Sequence, residues 1–167
     1  MFDLLPAPLH RGLLRVAHAV RLRVWGLLRM EVRGTNVLAF DAEGRVLLVR
    51  HSYHRPDAWM FPGGGLARGE SPAETGTREL REETGCRLEN AIWFATKMRP
   101  KREGWSNRIE LIAGTTHDIP RADHRELAAV GFFALDDLPP AIGAGSLEAI
   151  ELWRAWQARQ RDGGSER

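Results

Sequence analysis

The sequence predicts a single α/β domain in which a mixed β-sheet lies between helices. Segments with strand composition occur in two groups along the chain, and a helix with clear start and stop signals separates the groups. A second amphipathic pattern near the carboxyl end predicts a closing helix. At 167 residues the chain is long enough to bury one sizeable core.

Composition limits the functional classes. Residues 1–33 contain six arginines and two acidic residues, whereas the rest of the chain carries a small acidic excess. The single cysteine, Cys86, excludes an internal disulfide and fits a reducing compartment such as the cytoplasm. No apolar run approaches the ~20 residues that a membrane-spanning helix needs.

Residues 9–30 have the apolar spacing of an amphipathic helix with interleaved arginines. Packing on the domain or on a partner subunit is the simpler interpretation. The sharper one is a basic surface helix that contacts a membrane or RNA. A homodimer would cover the apolar stripe, although a monomer could accommodate it. We therefore divide the chain into an N-terminal extension (1–33), one domain (34–161) and a flexible tail (162–167).

The first group of strands is predicted to be a hairpin. Thr35–Phe40 and Val46–Arg50 flank the turn sequence Asp-Ala-Glu-Gly at 41–44. A polar loop, His51–Asp57, follows. A short strand, Trp59–Phe61, then precedes a run of three glycines, which would allow a sharp turn or a close backbone approach.

The second group of strands follows the central helix and consists of Ile92–Met98, Ile109–Thr115 and Ala128–Leu135. Ser146 is the candidate N-cap of the closing helix, which should extend to about Gln160.

The central helix is predicted to run from Pro72 to Thr84. Ser71 is a suitable N-cap, Pro72 suits the first helical position, and Glu74 completes a capping box. Gly85 is the expected left-handed residue after the last turn.

Three carboxylates share one face of this helix, because Glu79, Glu82 and Glu83 follow i, i+3, i+4 spacing. Like charges at this spacing repel by roughly 0.2–0.5 kcal/mol per pair. Glu82 and Glu83 also lie in the last turn, where the helix dipole disfavours negative charge. A bound cation would offset both costs, and Mg²⁺ prefers such oxygen ligands. A solvated acidic face is the simpler alternative.

The segment Gly64–Cys86 resembles the Nudix box. The family's pattern is Gly, five residues, Glu, seven residues, and then Arg-Glu-apolar-any-Glu-Glu-any-Gly-apolar. This sequence has Gly64, Glu70 and the run RELREETGC at 78–86 in the same register. The one departure is Cys86 where an aliphatic residue is usual, and Cys behaves as a small buried hydrophobe.

The resemblance implies an α/β/α sandwich over roughly Thr35–Pro140. It also implies a hydrolase that requires Mg²⁺ or Mn²⁺ and cleaves a nucleoside diphosphate linked to another moiety, X. The partner would therefore be a small molecule of the nucleotide type.

The resemblance also assigns roles to individual residues. Glu82 and Glu83 would be metal ligands, with Glu79 as a further ligand or as a residue that positions water. A backbone carbonyl near Gly64 would complete the site. Arg78 precedes Glu82 by four residues and could orient its carboxylate.

Two roles remain open from the sequence. Glu70 either reaches the metal through the loop or forms an ion pair that holds the loop. Glu126 is a candidate general base, because relatives often carry a Glu before this strand, but it could equally be an ordinary polar residue. No histidine is assigned a catalytic role.

Three residues are candidates for substrate contact. Trp105 lies between two arginines and could stack on a base while the cations meet phosphates. Tyr53 and Arg55, in the loop before the box, are similar candidates. Each could instead pack against the sheet.

Two other functions are compatible with a Nudix fold. A nucleotide sensor would bind without cleavage, but the intact late glutamates favour the hydrolase. An isoprenoid diphosphate isomerase would, by resemblance, need a catalytic Cys on a strand before the box. The only Cys closes the box instead.

Overall fold

The computed structural model describes residues 31–52, 57–100, 106–122 and 126–163. These residues form a five-stranded mixed sheet with one helix on each face, as predicted. The elements are β1 (Glu31–Phe40), β2 (Val46–His51), α1 (Pro72–Thr84), β3 (Glu89–Pro100), β4 (Ser106–Thr115), β5 (Leu127–Phe133) and α2 (Ala144–Gly163). The predicted helix at 9–30 and the tail residues 164–167 lie outside the described residues.

The sheet has the strand order β3-β4-β1-β2-β5. The pairing of β1 with β4 is parallel, and the other three pairings are antiparallel. Neither helix of the described chain has the length and apolarity that crossing a bilayer requires.

Alternate residues of the central strands supply two separate cores. Leu38 of β1 faces α2, where it joins Ile150 in one buried cluster. Its neighbour Val37 faces α1 and joins Leu80 in the other. The two-residue period of the strands therefore produces the two helical layers.

A short segment outside the five strands completes the sheet beside β1. β1 pairs with β2 at Phe40 and Val46. Towards the start of β1, residues 59–66 rather than β2 are its hydrogen-bonded neighbour. Their backbone hydrogen bonds are Val37 N to Pro62 O (2.9 Å), Thr35 N to Gly64 O (2.8 Å), Leu66 N to Arg33 O (3.0 Å) and Val49 N to Met60 O (2.8 Å). This segment fixes the glycine run against the sheet just before α1.

The ends of α1 are those that the sequence predicts. The Ser71 hydroxyl accepts from the Glu74 amide at 3.2 Å, and the Glu74 carboxylate accepts from the Ser71 amide at 2.8 Å. Gly85 has a φ of 77° and donates its N–H to the Arg81 carbonyl at 2.9 Å.

Other predicted boundaries require correction. The prediction of Ser146 as an N-cap is wrong, because α2 begins at Ala144 and Ser146 lies buried in its first turn. β5 ends at Phe133 rather than Leu135, because the Ala134 carbonyl accepts from the Asp137 amide in a turn.

Candidate active site

Arg78 lies at the centre of the acidic side chains of α1. Its Nε and Nη2 donate to the two oxygens of Glu70, each at 3.1 Å. Its Nη1 donates to Glu79 at 2.8 Å and to Glu82 at 3.1 Å. The predicted pairing with Glu82 is therefore present, but Arg78 also gathers two more carboxylates.

Glu70 forms the loop-holding ion pair, which is the second of the two alternatives left open by the sequence. The hydrogen bond from Arg78 holds the pKa of Glu70 below its usual value. The Thr75 hydroxyl donates to the same carboxylate at 2.8 Å. Glu70 therefore ties the loop before α1 to the first two turns of the helix.

Glu83 contacts groups outside α1 and is largely buried. Its Oε2 accepts from the Gly63 amide at 3.2 Å, and its Oε1 lies 3.9 Å from Nε2 of His51. Burial, together with the negative charges of Glu79 and Glu126, raises the pKa of Glu83 to about 8, although the hydrogen bond from Gly63 acts in the opposite direction. This carboxylate is therefore electrostatically unfavourable without a compensating positive charge.

Glu126 is brought to the same region from the far edge of the sheet. Its backbone carbonyl accepts from the Ser52 amide at 2.8 Å, and the next residue, Leu127, pairs with His51. The end of β2 thus holds Glu126 close enough for its charge to act on Glu83. The sequence prediction that Glu126 belongs to the site region agrees with this position, and its role as base stays a prediction.

The glycine run fits closely between β1 and α1. A methyl group on Gly63 would come within 2.0 Å of the Thr35 carbonyl oxygen. One on Gly64 would come within 2.3 Å of the Glu79 carboxylate. The Gly64 carbonyl, a predicted metal ligand, accepts from the Thr35 amide and therefore faces β1.

A cavity of about 240 Å³ lies beside the glycine run. β1, β4 and residues 63–65 line it, and its polar side chains include Asn36 and Asn107. The candidate substrate residues Tyr53, Arg55 and Trp105 lie outside the described residues.

Sequence reasoning missed two contacts of Glu83. The Gly63 amide had a signal, because it begins a three-glycine run just before the box. His51 lies near a presumed site loop in the sequence, but its approach to Glu83 depends on how β2 ends beside α1.

Carboxylate oxygens are the ligand type that a hard divalent cation prefers. The side chains of Glu79, Glu82 and Glu83, however, do not converge on one position. Among the described residues, no three His, Cys, Asp or Glu side chains form a metal-binding group. The reason is that Glu79 and Glu82 bond to Arg78 while Glu83 bonds to Gly63. The donor set nevertheless consists of carboxylate oxygens, and one of them is buried near three like charges.

Comparisons with known proteins agree with this geometry. The family model described as NUDIX domain matches residues 30–153. An RNA pyrophosphohydrolase from Bartonella bacilliformis is 38% identical over 74 residues, which cover 37% of this chain and 44% of that protein. An octanoyltransferase from Myxococcus xanthus is 52% identical over 107 residues, which cover 60% of this chain and 28% of that protein. The matched regions thus span less than half of either curated relative.

Among solved structures, a MutT NUDIX hydrolase from Burkholderia pseudomallei superimposes with a TM-score of 0.66 and 26% identity. The superposition covers 73% of this chain and 97% of that one. The family match, this superposition and the position of the box on α1 all agree. The chain belongs to the NUDIX domain family.

Proposed function

We propose that the protein is a Mg²⁺- or Mn²⁺-dependent pyrophosphohydrolase that cleaves a phosphoanhydride bond in a nucleoside diphosphate linked to another group, X. The observation that carries the proposal is the buried Glu83 carboxylate, which lies within electrostatic reach of Glu79, Glu82 and Glu126 at the end of the Nudix helix. The relative named RNA pyrophosphohydrolase supports a substrate of the nucleotide type.

Glu79, Glu82 and Glu83 would hold the cation, and the second lone pair of the Gly64 carbonyl could contribute to the same site. A bound Mg²⁺ supplies charge neutralisation at the phosphates and lowers the pKa of a bound water. Arg78 is the positioning residue in this scheme, because its fork fixes the directions of Glu79 and Glu82.

Glu126 is the proposed general base. In the reaction, a water oxygen forms a bond to phosphorus, the bridging P–O bond breaks, and the water proton passes to a carboxylate near Glu83. Glu126 is brought there from outside α1, so it can accept the proton without giving up a metal contact.

The proposed substrate contacts comprise one cavity and three candidate side chains. The cavity beside the glycine run is lined by Asn36, Asn107 and Ile109 on the sheet face that carries α2, and it has room for part of a nucleotide. Tyr53, Arg55 and Trp105 remain proposed contacts from the loops at 53–56 and 101–105.

The arrangement of the rest of the chain is also a proposal. An amphipathic helix at 9–30 would cover an apolar surface of the domain or join two copies in a homodimer. Contact of this segment with a membrane or RNA is the less favoured alternative. The single cysteine supports a reducing compartment such as the cytoplasm.

A product screen tests the proposed reaction. Nucleoside triphosphates, nucleotide sugars, dinucleoside polyphosphates, ADP-ribose, NADH and 5′-triphosphorylated RNA would be incubated with Mg²⁺ or Mn²⁺. Glu83→Gln should lower turnover of the best substrate by at least about a hundredfold. Glu151→Gln, on the exposed face of α2, is the matched control and should retain wild-type turnover.

Two outcomes would reject this proposal. Near-normal turnover in Glu83→Gln would reject the assigned metal site. No turnover on any substrate, together with stabilisation of the protein by a nucleotide, would indicate a sensor instead.

A further inference from the structure

The edge strand β3 presents two large apolar side chains on the face that carries α1. Trp93 is 56% exposed and Met98 is 52% exposed. Met98 pairs with Arg108 of β4, which pairs with Arg33 of β1, so the two arginines continue the same row across the sheet. We call Trp93, Met98, Arg108 and Arg33 the tryptophan platform.

A buried carboxylate beneath the platform fixes the tryptophan ring. Glu110 accepts from the indole Nε1 of Trp93 at 3.0 Å and from the Thr96 hydroxyl at 2.6 Å. It also accepts from Nε of Arg108 at 2.7 Å and lies 3.6 Å from Nη2 of Arg33. The polar edge of the indole is therefore occupied, and the exposed part of the ring is an aromatic surface held in one orientation.

The platform and the candidate active site lie on the same face of the sheet. Glu110 pairs with Thr35, and the Thr35 amide donates to the Gly64 carbonyl. Gly64 in turn lies against the Glu79 carboxylate. Since neighbouring strands are about 4.8 Å apart, the platform begins on the order of 10–15 Å from Glu79. A chain of linked nucleotides could span that distance from phosphates at Glu79.

The chemistry of the platform favours nucleobases as its ligand. Exposed aromatic rings stack on bases without sequence preference, and guanidinium groups add to such contacts. The arginine charges are largely balanced, because Glu110 lies beneath them and Glu31 acts on Arg108. Stacking, rather than net charge, should therefore provide most of the affinity.

A second copy of this chain is a poorer occupant. A two-fold interface through the platform would bring the arginines of both copies to one patch, and charged side chains are depleted at the centres of interfaces. We propose that the tryptophan platform binds the bases of a single-stranded polynucleotide whose 5′ phosphates lie at the α1 carboxylates. The link to these phosphates rests on the proposed function, and X in the substrate is then the polynucleotide itself.

Binding can be measured apart from hydrolysis. Fluorescently labelled RNA and DNA oligonucleotides without a 5′ phosphoanhydride would be titrated with the full chain, and anisotropy would give Kd. Trp93→Ala should raise Kd by about fivefold or more, whereas Trp93→Phe, which keeps an aromatic face, should retain most of the affinity. Ile92→Ala, on the opposite face of the same strand, is the matched control. Thermal unfolding would establish that each variant is folded.

Turnover provides the second readout. The ratio of kcat/KM for a 5′-triphosphorylated oligonucleotide to that for a nucleoside triphosphate should fall in Trp93→Ala by about the same factor as the affinity. The absence of oligonucleotide binding by the wild type, or an unchanged Kd in Trp93→Ala, would overturn the proposal. If Trp93→Ala left Kd unchanged but abolished a dimer seen by size exclusion, the proposal would also be overturned, and the platform would be assigned to contact with a second copy of the chain. Trp93-dependent binding without turnover of any nucleotide would support the platform and reject the proposed reaction.

Discussion

The α-carbon of Gly64 lies against the carboxylate of Glu79, so closely that a methyl group at this position would come within 2.3 Å of the carboxyl carbon. The same glycine is hydrogen-bonded to β1 through its carbonyl and cannot move away from the helix without breaking that bond. The first glycine of the box therefore sets the position of Glu79, the first of the three carboxylates that share one face of α1.

Gly64→Ala should displace Glu79 and lower turnover by about tenfold or more, because a misplaced ligand weakens metal binding. Gly65→Ala is the matched control, since a methyl group there would have no neighbour within 4 Å. The test is the Mg²⁺ dependence of turnover for both variants. Equal effects of the two substitutions would show that loop flexibility, rather than the contact with Glu79, is responsible.

The contribution of Glu83 to the stability of the cation-free protein should fall as the pH rises from about 4.5 to about 8. Glu83 has a pKa of about 8 in the folded protein and 4.5 as its ordinary value, so the folded state binds the extra proton between these limits. The contribution is therefore fully present below about pH 4.5 and is lost as the pH rises through about 8. With a chelator near pH 9, Glu83→Gln should have a Tm higher than wild type by more than about 2 °C.

The controls for this measurement follow from the same linkage. Near pH 4 the wild type and Glu83→Gln should unfold together, because both carry a neutral side chain. Added Mg²⁺ near pH 9 should raise the wild-type Tm more than that of the variant. Parallel Tm curves from pH 4 to pH 9 would contradict the burial of an unfavourable charge at Glu83.

Arg78→Lys should impair the site while keeping the charge. A lysine ammonium lacks the planar fork that reaches Glu70, Glu79 and Glu82 together. We expect the Mg²⁺ concentration for half-maximal turnover to rise about tenfold. Arg81→Lys on the same helix is the control, and an equal change in that variant would indicate a general charge effect.

Gly76→Ala tests the contact between α1 and the sheet. A methyl group there would lie 3.0 Å from Cγ2 of Val37 and 3.2 Å from Cγ1 of Ile112, both fully buried. Overpacking should cost about 1–3 kcal/mol, which exceeds the ~1 kcal/mol gained in helix propensity. Urea unfolding should show net destabilisation in the wild type and little or none in a Val37→Ala background. Stabilisation in the wild-type background would show that the sheet gives way easily.

The central helix could be predicted to the residue because its signals are local. Its caps, the box and the carboxylate spacing all lie within one stretch of chain. The ends of the strands could not be predicted in this way. Pairing with a neighbouring strand can extend a strand into residues whose own composition does not favour it. β1 begins at Glu31 rather than Thr35, since it pairs with β4 along its whole length.

The candidate site was predictable in its acidic residues, in the pairing of Arg78 with Glu82 and in the glycine run before the helix. The fork of Arg78 to Glu70 spans eight residues, and the approach of His51 to Glu83 joins two different elements. The exposure of Trp93 also has no local signal, because a tryptophan in a strand ordinarily indicates a buried position. It is exposed here because it lies on an edge strand.

The segment at 59–66 has a consequence for motion. Only Trp59–Phe61 has the pattern of a strand, yet the segment is hydrogen-bonded through its backbone to β1 on one side and to β2 on the other. The amides of Met60 and Leu66 should therefore exchange with solvent as slowly as those of the strands. Residues 59–66, which precede α1, should therefore be rigid and should not act as a hinge. Adjustment beside this segment on binding is therefore expected in side chains, above all in the release of Glu79 and Glu82 by Arg78.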